Sequence, residues 1–113
     1  TLAALAEALR AVQAVHLAPE LRDFIVRLVI ATRQGDASRD VEHAASPRGS
    51  LALAATAKAR AYLQGRDFAL PEDVILLAPD ALAHRLVLSW RAVAEGRRSR
   101  DVVAEILQQV APL

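Results

Sequence analysis

The sequence predicts an all-α fold, a small bundle of about five helices, on three observations. Apolar residues recur at three- and four-residue spacing along most of the chain. Hydrophobic residues fill 54% of the 113 positions and aromatics 4%, so alanine carries much of the apolar count and helices can approach closely. Only four glycines and five prolines are present, which suits helices joined by short loops. The length fits one modest domain, taken as residues 1–113. A core of small side chains buries less area per residue than a leucine-rich one, so modest stability is expected.

The first helix carries Leu2, Leu5, Ala6, Leu9 and Val12 on one face, with Thr1 as its cap, and runs to about Val15. Pro19 opens the second, in which Leu21, Phe24, Ile25, Leu28 and Thr32 share a face. Val26, Val29 and Ile30 widen it, so burial on more than one flank is expected. Glu20 and Asp23 suit the positive end of this helix and Arg33 the negative end. Asp23 and Arg27 form an acid-first pair four residues apart. Gln34 to Ala45 lacks apolar periodicity and reads as a loop. The third helix spans Pro47 to about Gln64, with Leu51, Ala55, Ala59 and Tyr62 on one face and Leu53, Ala57 and Ala61 on another. A helix with two apolar faces packs centrally between neighbours. Gly65 ends it.

A connector from Arg66 to Leu70 leads to a fourth helix opened by Pro71-Glu72-Asp73, which Pro79 breaks or kinks, leaving Asp80 to His84 as a further turn. Leu86-Val87-Leu88 is too short to assign. Trp90 to Arg98 reads as a loop or ragged helix. Ser99 caps a last helix bearing Val102, Val103, Ile106, Leu107 and Val110, and Pro112 ends the order.

Charge and composition exclude several functions. Fourteen basic and thirteen acidic residues leave a net charge of +1, without a footprint for nucleic acid or an acidic membrane. There is no cysteine, so disulfides and thiolate metal sites are out of reach. His16, His43 and His84 lack ligand spacing, and no metal site is expected. No apolar run is long enough to span a membrane. The chain starts at Thr1 already in helical pattern and reads as a piece of something longer.

Ala45-Ser46-Pro47-Arg48-Gly49-Ser50 is the segment richest in chemistry. Ser46 suits an N-cap, Pro47 the first helical position, and Arg48 then lies in the first turn, beside spare backbone donors and the positive end of the helix dipole. Such a turn can hold an oxyanion, phosphate above all, and a guanidinium forks onto two phosphate oxygens where lysine cannot. The plain alternative is an ordinary capped helix with Arg48 in solvent.

Four stretches carry a family resemblance: VHLAPELRDFIVRLVIATR from Val15 to Arg33, AASPRGSLALAATAKARAYLQGRDFALPEDV from Ala44 to Val74, APDALAHRLVLS from Ala78 to Ser89, and DVVAEILQQVAPL at the end. The order and spacing of ATR, SPR, GRD, PEDV and HR is more specific than any one of them. Together they resemble the C-terminal helical lid of MoxR-type AAA+ ATPases over essentially the whole chain. The resemblance implies an α/β nucleotide-binding core in the same protein. No GxxxxGK[ST] phosphate loop occurs in these residues, so they do not hydrolyse ATP alone. ATP and Mg²⁺ would be bound mainly by that core. The resemblance makes Arg48 the sensor 2 arginine, a catalytic residue acting in cis or in trans, with Ser46, Pro47 and Arg48 forming the nucleotide-facing turn.

It also implies a cytoplasmic ring oligomer with chaperone-like action, in contact with its own core, neighbouring subunits and a von Willebrand factor A-type partner, without nucleic acid or membrane insertion. Relatives usually carry glycine at Ala44 and threonine at Leu70, so a less permissive loop and a weaker fourth-helix start are expected. Arg66 and Asp67 pair with each other or clamp the connector. Arg85 either makes an ion pair or helix-end interaction within the lid or faces a neighbouring subunit or the core domain. Arg97, Arg98 and Arg100 are read as solvated, the alternative being a contact with nucleic acid, and Trp90 as a cap over the end of the core, the alternative being an exposed partner anchor. An unusually apolar face is expected near Arg48 and along the first helix. Two alternatives stand beside this: the lid of a magnesium-chelatase-type ATPase subunit, and a free-standing helical DNA-binding or adaptor domain.

Overall fold

One long helix lies at the centre of the bundle, and the others pack around it. The computed structural model describes residues 1–34 and 39–110; the expectation for Pro112 and part of that for the Gln34–Ala45 loop lie outside the described residues. Helix α1 covers Leu2–Gln13, α2 Pro19–Ala31, α3 Pro47–Leu63 and α4 Pro71–Leu82. A 3₁₀ turn at Ala83–Arg85 follows, then the short α5, Trp90–Ala94, and α6, Ser99–Gln109. Two short strands, β1 at Val41–His43 and β2 at Val87–Leu88, pair antiparallel. The predicted all-α bundle is present, with α5 and the two-stranded ribbon added.

Helix α3 is the central element, packed against α4, α2 and α1. Gly49, Leu53, Ala57 and Ala61 recur every four residues and form its buried seam. Small side chains on that seam let α4 approach closely, and α4 answers with Val74, Ala78, Ala81 and Leu82. Phe24 and Leu28 of α2 and Val102, Val103 and Ile106 of α6 complete the core. The second apolar face of α3 stays open at its start, where Leu51 is exposed. Gly65 ends the helix in the left-handed region, φ 76°, with Arg66 N–H donating to Ala61 O at 2.9 Å and Gly65 N–H to Tyr62 O at 3.0 Å. This is a Schellman closure.

Thr1 Oγ accepts from Ala4 N–H at 3.0 Å and caps α1 as expected. The helix buries none of its residues, and Leu2, Leu5 and Leu9 project into solvent. The chain then crosses beside the connector after α3: His16 N–H donates to Asp67 O at 2.8 Å, and Ala69 N–H donates to His16 O at 2.9 Å. The radius of gyration is 15.2 Å, against about 13 Å for a compact domain of this length. The thinly packed α1 accounts for the elongation.

Several expectations need correcting. Helix α4 runs through Pro79 to Leu82 instead of breaking; the proline removes one donor, while buried Ala78, Ala81 and Leu82 hold both sides of it on the core. Helix α6 begins at Ser99 but is capped by Asp101, whose Oδ2 accepts from Arg98 N–H at 3.0 Å. That bond holds the Asp101 carboxyl below its ordinary range. Trp90 is 83% exposed and does not cover the core. Its helix buries only Ala92, two residues and so about 200° around the helix from Trp90. The basic cluster is paired, not merely solvated. Arg97 bonds Asp40 and Glu105, Arg98 pairs with Asp101, and Arg100 bonds Asp80.

Candidate functional site

The five short motifs gather at the two ends of α3. ATR, SPR and HR meet at its start; GRD and PEDV meet at its end. Seventeen residues of helix separate the ends, about 25 Å.

At the far end, Asp73 is fully buried and receives two arginines. Arg66 donates to both its oxygens, at 2.8 and 2.7 Å, and Arg60 bonds Oδ1. Leu70 N–H donates to Oδ2 at 2.7 Å. Burial pushes the Asp73 carboxyl up, but the Arg66, Leu70 and Arg60 hydrogen bonds and the Arg66 charge outweigh it and hold the group at about 2. Arg66 therefore clamps the connector to α4 and does not pair with Asp67, which is exposed. The same carboxylate satisfies the N–H of Leu70, and Asp73 N–H donates back to Leu70 O at 2.9 Å, with no side-chain cap at Leu70.

At the near end, Ser46 is extended and its Oγ accepts from Arg48 N–H at 3.2 Å. Pro47 occupies the first helical position and brings no N–H. Gly49 N–H donates to Ser46 O at 2.8 Å. The backbone donors expected to be spare at this turn are thus largely engaged, and anion chemistry there falls to side chains. The guanidinium of Arg48 is exposed and meets no carboxylate among the described residues.

The loop entering α3 is fixed from behind by the ATR segment, a role that sequence reasoning did not assign. Thr32, buried, donates through Oγ to Val29 O at 2.6 Å and accepts from Ala45 N–H at 3.3 Å. Arg33 donates from Nε and Nη2 to Ala45 O at 3.3 and 3.1 Å. Both backbone groups of Ala45 are therefore held by α2 and the residues just after it. The ribbon fixes the other side: Val41 pairs with Leu88 and His43 with Val87, and Ser89 N–H donates to Asp40 O at 2.8 Å. This ties the approach to Ser46 to the chain just beyond Arg85.

Beside the turn a shallow groove of about 290 Å³ is lined by Val26, Val29, Ile30, Arg33, Pro47 and Ser50. Val26 and Ile30 are exposed there, and Leu51 is exposed in the adjoining hollow that Val26 also lines, which is the apolar face expected near Arg48. A larger hollow, about 590 Å³ between Ala11, Ala14, Tyr62 and Gly65, lies at the other end of α3. Among the described residues no group of three or more His, Asp or Glu is placed to hold a metal, and no helix is long and apolar enough to cross a membrane.

The family model described as the AAA lid domain matches residues 33–106. The chain belongs to the AAA lid domain family. It is similar to the chaperone MoxR1 of Mycobacterium tuberculosis, 42% identical over 97 residues that cover 80% of this chain and 26% of that protein. It is also similar to the protein MoxR of Methylorubrum extorquens, 40% identical over 72 residues, covering 64% of this chain and 20% of that one. A crystal structure from Cytophaga hutchinsonii, provisionally described as an ATPase, superposes with a TM-score of 0.85 at 32% identity. It covers 90% of this chain and 33% of the other. The AAA lid is therefore of the MoxR type. It spans between a fifth and a third of the length of these relatives.

Proposed function

We propose that this lid serves an ATP-hydrolysing ring by bringing Arg48 to the terminal phosphate of a nucleotide held by an α/β core. The supporting observation is the side chain's situation: exposed, in the first turn of α3, without a carboxylate partner among the described residues, on a turn fixed through both backbone groups of Ala45. Arg48 is the sensor 2 arginine in this reading. Ser46 and Pro47 shape the nucleotide-facing turn, the first by capping Arg48 N–H and the second by starting the helix without a donor to satisfy.

When ATP is bound, the phosphoryl group carries the charge that develops during transfer. Arg48 offers a permanent cation that can fork onto two phosphate oxygens. Mg²⁺ finds no ligand set among the described residues of the lid and belongs with the core. The lid does not hydrolyse ATP by itself; its movement couples nucleotide state to chaperone-like work in the cytoplasm. The apolar face of Val26, Ile30 and Leu51, with Leu2, Leu5 and Leu9 on α1, is the surface that the core and neighbouring subunits cover. A von Willebrand factor A-type protein is the partner proposed for the assembled ring.

The test is Arg48→Ala in the complete ATPase. Placing charge where a transferring phosphoryl group needs it is worth about 10³-fold or more in rate, and a loss of that order is expected. The melting temperature should move little, because the guanidinium is outside the core. Wild-type turnover in Arg48→Ala would overturn the assignment.

A further inference from the structure

Arg85 ends the 3₁₀ turn after α4, and its aliphatic stem lies over the first turn of α3. A Cβ built on Gly49 would stand 3.7 Å from Arg85 Cδ and 3.3 Å from Leu82 Cδ2. Glycine at this position, next to Arg48, leaves room for Ala45 Cβ and Leu82 Cδ2, each 3.3 Å from such a Cβ, while the Arg85 stem lies at ordinary contact distance. The Nε of Arg85 is buried and has no hydrogen-bond partner among the described residues. A guanidinium N–H withdrawn from water without an acceptor is costly, and native structures rarely keep one unless something outside supplies the acceptor.

Its neighbours narrow the chemistry of that acceptor. Arg33, Arg48 and Arg85 all converge on the Ala45–Gly49 turn, and none meets a carboxylate among the described residues. Several arginines elsewhere do: Arg60 and Arg66 share Asp73, and Arg97 binds Asp40 and Glu105. Three cations gathered without a counter-charge make this turn attractive to a multiply charged anion. The donors of Arg33 are engaged with Ala45 O, which leaves Arg48 and Arg85 to meet it. The ribbon holds their two segments in one register.

We propose that Arg85 is a second phosphate-binding residue of this lid, giving guanidinium N–H groups to oxygens of the same terminal phosphates that Arg48 meets. This rests on the reading of Arg48 above. The chemistry is the forked guanidinium–phosphate contact, which lysine does not reproduce. Arg33 is then a positioning residue for the turn.

The experiment is equilibrium binding of ATP and of ADP to the complete ATPase carrying Arg85→Lys or Arg85→Gln, with melting temperatures recorded for each. Arg85→Lys keeps the charge and an aliphatic stem over Gly49, so it folds even where the glutamine variant is disturbed. A terminal-phosphate contact predicts that ATP binds about 10-fold more weakly while ADP affinity stays within about twofold. Unchanged ATP affinity in Arg85→Lys overturns the proposal. An equal loss for both nucleotides also overturns it, because the acceptor is then a protein carboxylate and the effect positional. Arg48→Ala, measured alongside, separates the two readings: wild-type turnover there removes the premise, whereas a hydrolysis defect there with normal Arg85 variants removes only this inference.

Discussion

Arg48 and Arg60 sit on the same helix and do opposite jobs, and the difference lies in what surrounds each guanidinium. Arg60 is locked with Arg66 onto Asp73; the guanidinium of Arg48 meets no carboxylate among the described residues. For Asp73 the pH dependence follows directly. Its carboxyl lies at about 2 in the folded chain against 3.8 for an ordinary aspartate, so the unfolded state binds the proton more tightly. The stabilisation is fully present above about pH 4 and is lost as pH falls towards 2, on the order of 2 kcal/mol in all. Acid unfolding followed by circular dichroism should show this step, and Asp73→Asn should flatten it while costing about 3 kcal/mol at neutral pH. A variant with unchanged acid midpoint would contradict the role given to this carboxylate. At the other end, Arg33→Ala releases Ala45 O and should cost about 1 kcal/mol of stability. Because the turn then loosens, ATP turnover in the complete enzyme should fall by more than the stability loss explains. The SPR and GRD–PEDV motifs were legible in sequence because caps, prolines and acids leave local signatures. The partners of Arg33, Arg66 and Arg85 were not, since each contact crosses between elements and depends on where a backbone carbonyl, a carboxylate or a missing Cβ is placed.

At the scale of elements, periodicity predicted α1, α2, α3 and α6 within a few residues, because each repeats an apolar spacing over several turns. The ribbon was missed for the converse reason. Strands of three and two residues are too short to show alternation, and each takes its meaning from the other across the fold. Trp90 was misplaced because a general preference for burying tryptophan ignores which side of a five-residue helix faces the core. Pro79 offers a test of how tertiary packing overrides local propensity. If buried neighbours alone carry α4 past it, Pro79→Ala restores a donor and should raise stability by about 1 kcal/mol or more. That corresponds to about 4–8 °C in melting temperature for a domain of this size. A fall in melting temperature would mean that the proline ring itself packs usefully. Gly65→Ala should act the other way, costing about 1 kcal/mol, because the left-handed closure of α3 strains any residue with a Cβ.

The whole molecule is an elongated lid with one well-packed interior and one uncovered apolar side. The family, the all-α class and an uncovered apolar side near Arg48 and along the first helix could be read from the sequence, whereas the part that Val26 and Ile30 of α2 play in it only emerged from how α2 sits on α3. That side and the Arg48 turn adjoin one another, which is the arrangement a lid needs if nucleotide state at the turn is to change how the apolar face meets its core. Leu51→Glu should therefore impair ring assembly or ATP turnover in the complete protein while leaving the melting temperature of the 113-residue chain within about 2 °C of wild type, as expected for an exposed site. The central claim is one of placement, and the distance from Arg48 to the nucleotide tests it most directly. In a structure of the assembled ATPase with a non-hydrolysable ATP analogue, a guanidinium nitrogen of Arg48 should lie within about 3 Å of a γ-phosphate oxygen. A separation beyond about 8 Å, too long for a contact bridged by a single water, would contradict the account.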